Sequence, residues 1–184
     1  MKRLVMTMIT LYVLLISNMA FAAEPDTCIL LVSSPEMQTE DVIKMVKNAF
    51  KDTPNITCGS EIQTKYQEYW FNKGEIEEGP VTPQVLLEFR KFCGYNNCLY
   101  LVESSNSDKT LVANYGLGQV FNEQVTRSTV NLKCFLIGRD DLGESKVIKI
   151  FSATSSVKSG QGDLKAKKWA FKEAIKSVYK QFIS

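Results

Sequence analysis

"KFCGYNNCLYLVES", residues 91–104, joins the end of an amphipathic stretch to the start of an apolar one, with Cys93 and Cys98 on either side of the joint. Gly94 follows the last apolar position of "TPQVLLEFRKFC", where a residue free to take the left-handed conformation closes a helix. "CLYLVE", residues 98–103, is a short continuous apolar run, the mark of a buried strand. A helix that ends in glycine and hands on to a buried strand is the joint expected in a sheet covered by helices.

Upstream, the same alternation recurs. "CILLVSS" (28–34) reads as a buried strand, and "TEDVIKMVKNAFKD" (39–52) as a helix capped by Thr39, with Glu40 and Asp41 at its positive end. "NITCGS" (55–60) is a brief second strand. "SEIQTKYQEYWFNKG" (60–74) reads as a helix capped by Ser60, with Ile62, Tyr66, Tyr69 and Trp70 on its apolar side. Downstream the character changes to β-rich runs, "TLVANYGLGQVF" (110–121), "STVNLKCFLIGR" (128–139) and "SKVIKIFSATSS" (145–156), which predict an antiparallel meander. Val130, Leu132, Cys134 and Leu136 alternate onto one face of it. "GDLKAKKWAFKEAIKSVYKQFIS" (162–184) predicts a closing helix with Leu164, Phe171, Ile175, Val178 and Phe182 on one stripe. The pattern predicts an α/β (α+β) fold: a mixed sheet of about five strands, short βα units first, then an antiparallel hairpin, with helices packed on the sheet and a C-terminal closing helix.

The ends and totals bound the function. Lys2 and Arg3, the apolar stretch Leu4–Ile16 and the small-x-small sequence Ala20-Phe21-Ala22 read as an export signal over residues 1–22, leaving a single exported domain over 23–184. The expected location is periplasmic or extracellular. Removing Lys2 and Arg3 takes the 22 basic residues to 20, equal to the 20 acidic ones, so the basic balance that would suggest a nucleic-acid partner disappears. The chain has no histidine, which removes the usual base of serine and cysteine hydrolases and the commonest metal ligand. A non-enzymatic protein without catalytic residues, metal or cofactor is therefore expected.

Five cysteines in a chain bound for an oxidising compartment are expected to bridge in pairs and leave one over. Four residues separate Cys93 from Cys98, which excludes a C-x-x-C redox pair, and a zinc site would need further thiols because histidine is absent. A local Cys93–Cys98 disulfide is expected. Cys28 and Cys58 both stand near the starts of candidate parallel strands and are expected to form the second bridge. Cys134 would remain a buried free thiol. Glu75, Glu77 and Glu78, and Asp140, Asp141 and Glu144, read as solvated loop and turn residues. The lysines of the closing helix read as a solvated face, so membrane contact would be at most peripheral. Tyr66, Tyr69, Trp70 and Phe71 crowd one short helix; they read first as core packing and second as a candidate binding surface, since aromatic anchors are what interfaces favour.

"EFRKFCGYNNCLYLVES", "STVNLKCFLIGRDDLGESKVIKIFSATSS" and "AKKWAFKEAIKSVYKQF" resemble, in order, the helix-glycine-strand joint, the paired strands around an Asp-x-x-Gly-like turn, and the closing helix of the TolB N-terminal-like fold. That fold is shared by the curli-secretion channel subunit and the lipoprotein activators of penicillin-binding proteins. The chain departs from many members in lacking a lipoprotein cysteine and in carrying Tyr95-Asn96-Asn97 after the turn glycine, where an aspartate is often found. The resemblance implies a protein-interaction module whose partner is another envelope protein. The alternative is a periplasmic small-ligand or glycan-binding protein with a cleft beside the Tyr66–Phe71 aromatics.

Overall fold

β1 (Thr27–Val32) and β3 (Asn97–Gly116) run side by side in parallel, with Cys28 opposite Cys98 and Leu30 opposite Tyr100. The computed structural model describes residues 27–75, 79–116, 119–140 and 142–184; the expected export signal lies outside them. β2 (Ile56–Cys58) pairs in parallel with the other side of β1. β4 (Gln119–Arg139) and β5 (Ser145–Ser159) add antiparallel strands beyond β3, giving one five-stranded mixed sheet in the order β2-β1-β3-β4-β5. Four helices flank it: α1 (Glu40–Ala49), α2 (Ser60–Asn72), α3 (Pro83–Cys93) and the closing α4 (Asp163–Ile183).

β1 is apolar on both sides, so it needs cover on both, and the helices divide accordingly. Val42, Val46 and Phe50 of α1 and Phe171, Ile175 and Val178 of α4 pack on Ile29, Leu31, Leu99, Leu101, Leu132 and Cys134. Ile62, Tyr66, Tyr69 and Trp70 of α2 and Val85, Leu86, Phe89 and Cys93 of α3 pack on the opposite face, against Cys28, Leu30, Cys98, Tyr100, Phe135 and Ile137. Each fully buried leucine or phenylalanine contributes about 1.5–3 kcal/mol, so the two clusters supply the main driving force.

Local signals position these helices. Thr82 Oγ1 accepts a hydrogen bond from the Val85 amide at 3.3 Å, Pro83 begins α3, and Gly94 ends it at φ 80°. For α2 the expected cap moves by one residue: Ser60 is the first helical residue and Gly59 holds the cap position at φ 124°, a conformation that penalises side-chain-bearing residues. In α4, Leu164 does not join the buried stripe and is 42% exposed. Ala166, Ala170 and Ala174 complete that stripe instead, and their small side chains let the helix lie close to the sheet.

β3 does not stop at Glu103. Its pairing with β4 continues from Glu103–Leu132 to Gly116–Gln119, so "SSNSDKT" is strand and "TLVANYGLGQVF" is split between the end of β3 and the start of β4. A ladder satisfies backbone N–H and C=O groups whatever the side chains, which is why a polar stretch can extend the hairpin beyond the helical layers. α4 meets the root of this arm through Asp163. Its Oδ1 accepts from Ser107 Oγ and, at 3.2 Å, from Ser128 Oγ.

The Ser107 hydrogen bond, with Lys167 nearby, holds the Asp163 carboxyl below its ordinary 3.8. A depressed folded-state pKa contributes stability that is present above the ordinary value and is lost as pH falls through the folded one. Asp163→Asn is therefore expected to lower the urea midpoint at pH 7, with the gap to the parent closing as pH drops below 3.8. A gap unchanged across that range, measured by urea titration, would show that the carboxylate charge is not its source.

Candidate functional site

The parallel register and the α3 terminus together assemble three sulfurs. Cys28 and Cys98 are direct neighbours on β1 and β3, and the Cys28 thiol donates to Cys98 Sγ at 2.9 Å. Gly94 turns the chain back so that Cys93, the last residue of α3, descends on the same spot with its Sγ 3.3 Å from that of Cys98. All three sulfurs lie within 4.8 Å of one another. Cys28 and Cys98 are fully buried, whereas Cys93 keeps 7% of its surface exposed and bonds the Arg90 carbonyl at 3.4 Å. Tyr95 and Tyr100 are buried in the same cluster, and the Tyr100 hydroxyl donates to the Leu86 carbonyl at 2.8 Å.

The three thiols are electrostatically unequal. Cys93 is pulled down because its sulfur is hydrogen-bonded by Cys28 and Cys98, with further help from the Tyr95 backbone and the field of Lys65. Cys28 is pushed up by its bonds to those sulfurs, and Cys98 is pushed up chiefly by burial. Cys93 is thus the first of the three to ionise, and the thiolate is the reactive and metal-binding form.

The Cys28–Cys58 bridge does not fit this register. Cys58 stands opposite Ile29 rather than Cys28, and successive residues of a strand face opposite sides, so Cys58 packs with the α1–α4 cluster while Cys28 packs with α2 and α3. The expected Cys93–Cys98 pair is adjacent but shares its site with Cys28, so only one bridge can form among the three. Cys134 is buried on the α1–α4 face opposite Leu101 and Phe151, and burial pushes its thiol up to about 12. Its burial is what the strand alternation suggests.

The aromatic surface needs correcting. Tyr66, Tyr69 and Trp70 are buried, and only Phe71, 77% exposed, points outward. Positions 66, 69 and 70 share one helical face, and α3 supplies the partners that fill the space around them. Phe89 meets Tyr66 and Tyr69 edge-on with ring centroids 5.1 and 5.7 Å apart. At the rim, Glu88 accepts from the Tyr69 hydroxyl at 2.9 Å and from Lys73 Nζ at 2.5 Å, and Lys73 above all holds its carboxyl down to about 2.

The loop and turn acids behave as their sequence suggests where they are described. Asp140 Oδ1 accepts from the Leu142 and Glu144 amides at 3.0 and 2.9 Å, a turn-stabilising role. Glu77, Glu78 and Asp141 lie outside the described residues. On α4, Lys167 pairs with Glu36 at 2.6 Å, Lys168 with Asp41 at 3.3 Å and Lys176 with Glu173 at 2.7 Å, so these charges are committed to carboxylates.

Two features escape the sequence patterns. β5 ends the sheet, and among the described residues no strand pairs with its outer side, while Ile148 and Ile150 are exposed. The periodicity marks β5 as a strand but carries no information about its place in the order. The second is an open groove of about 730 Å³ between α1 and the start of α4, lined by Asp41, Lys44, Met45, Asn48, Leu164 and Trp169 among others. Trp169 is 41% exposed, and its place off the apolar stripe of α4 was the available signal. In comparisons with known proteins, no family model and no curated protein matches this chain.

Tyr66→Ala is expected to cost about 3–5 kcal/mol in urea unfolding, as large aromatic truncations in a core do. Phe71→Ala is expected to stay within about 0.5 kcal/mol of the parent. Equal small effects would return Tyr66 to the surface.

Proposed function

We propose that the chain is a non-enzymatic exported protein that works by binding another envelope protein, and that β5 makes the contact. The observation that carries this reading is the open edge: a 15-residue strand, interrupted by one bulge at Ile148 and bonded to β4 on one side only among the described residues. Such an edge is a template for an extended segment of a partner, with main-chain bonds giving affinity and alternate side chains giving selectivity. Gln181 caps one carbonyl, that of Ser152, at 3.0 Å. Lys146, Lys149 and Lys158 oppose pairing with a second copy of the same strand and favour an acidic segment. The order of elements supports the resemblance to the TolB N-terminal-like fold, whose members mostly act as interaction modules.

A photo-crosslinking residue at Thr154, exposed on β5, should capture one envelope protein in intact cells. Ile150→Asp, an exposed change expected to alter stability by no more than about 0.5 kcal/mol, should weaken that capture about tenfold. Recovery of no specific protein would overturn the reading.

The α1–α4 groove favours a second reading, a binder of small polar ligands or sugars. It offers a half-exposed indole rimmed by polar groups, with Lys165 Nζ 5.4 Å from the ring centre. A small molecule that raises the melting temperature of the parent but not of Trp169→Ala would support it over the first.

A further inference from the structure

The three-thiol cluster is a ligand set in search of an ion. We propose that the reduced chain holds one trivalent thiophilic metalloid, of the arsenite class, on Cys28, Cys93 and Cys98. The geometry provides three sulfurs within 4.8 Å of one another and, among the described residues, no histidine, carboxylate or fourth thiol to complete the set. Zinc in a protein-only site wants four ligands, so it is poorly served here. Soft, three-coordinate centres are well served.

Charge decides which of them. The cluster sits among Leu30, Phe89, Tyr95 and Tyr100, and a net charge buried there is costly. Three thiolates around a monovalent ion leave two negative charges, and around a divalent ion they leave one. Around a trivalent centre they leave none. The step balances without any redox partner: As(OH)3 and three Cys S–H groups give As(S-Cys)3 and three waters, with three As–O bonds broken and three As–S bonds formed. Cys93, the only one of the three with exposed surface, is the point of entry.

This state and the bridged state exclude each other. An oxidant such as a protein disulfide would join two of the sulfurs and strand the third, whereas a reducing environment leaves all three for the metalloid. Arsenite added to the reduced full-length protein should give a one-to-one adduct by native mass spectrometry, heavier by one arsenic atom less three hydrogens. The adduct should persist in Cys58→Ser and Cys134→Ser, and its affinity should fall at least about tenfold in Cys28→Ser. An adduct short of only two hydrogens in the parent protein would overturn the proposal without reliance on any variant. Undiminished affinity in Cys28→Ser, or zinc bound as tightly as arsenite, would overturn it as well.

Discussion

The parallel pairing of β1 with β3 is the constraint on which the rest depends. It joins segments 70 residues apart along a six-residue register, and it commits every residue of both strands to one face or the other. Odd positions, Ile29, Leu31, Leu99 and Leu101, go to α1 and α4; even positions, Cys28, Leu30, Cys98 and Tyr100, go to α2 and α3. A slip of one residue would reverse every one of these assignments and bury the wrong set against each helix pair. Closing so long a loop is entropically expensive, and the burial of both faces of β1 offsets it.

Much of this was legible in the chain. The joint at Gly94, the buried run after it and the amphipathic helices on either side follow from local physics: a left-handed residue ends a helix, and continuous apolar residues need two covered faces. What was not legible is what strands do to one another. Cys58 and Cys28 looked like neighbours because both stand in short segments that read as adjacent parallel strands, yet a single step of register sends their side chains to opposite faces. Tyr66, Tyr69 and Trp70 looked too many to bury because the space they fill is closed by Phe89 from a helix that follows about 20 residues later in the sequence. The polar extension of β3 carries no periodic signal, since backbone pairing rather than side-chain burial holds it.

The same physics separates the functional features. The two helical layers cover the sheet where its strands are apolar and, among the described residues, no strand covers the outer side of β5, so an open edge and a buried sulfur cluster occupy different parts of one sheet. The edge is built from backbone, exposed isoleucines and the lysines of β5. The sulfur cluster is the reverse: sequestered, and built from three thiols whose bridged and reduced states exclude each other.

The register claim is tested most directly by oxidising the folded protein at low concentration with diamide, alkylating the remaining thiols and mapping the linked peptides. One bridge joining two of Cys28, Cys93 and Cys98, with Cys58 and Cys134 alkylated, is the predicted result. A bridge from Cys58 to Cys28 would place those two side chains on one face and contradict the account.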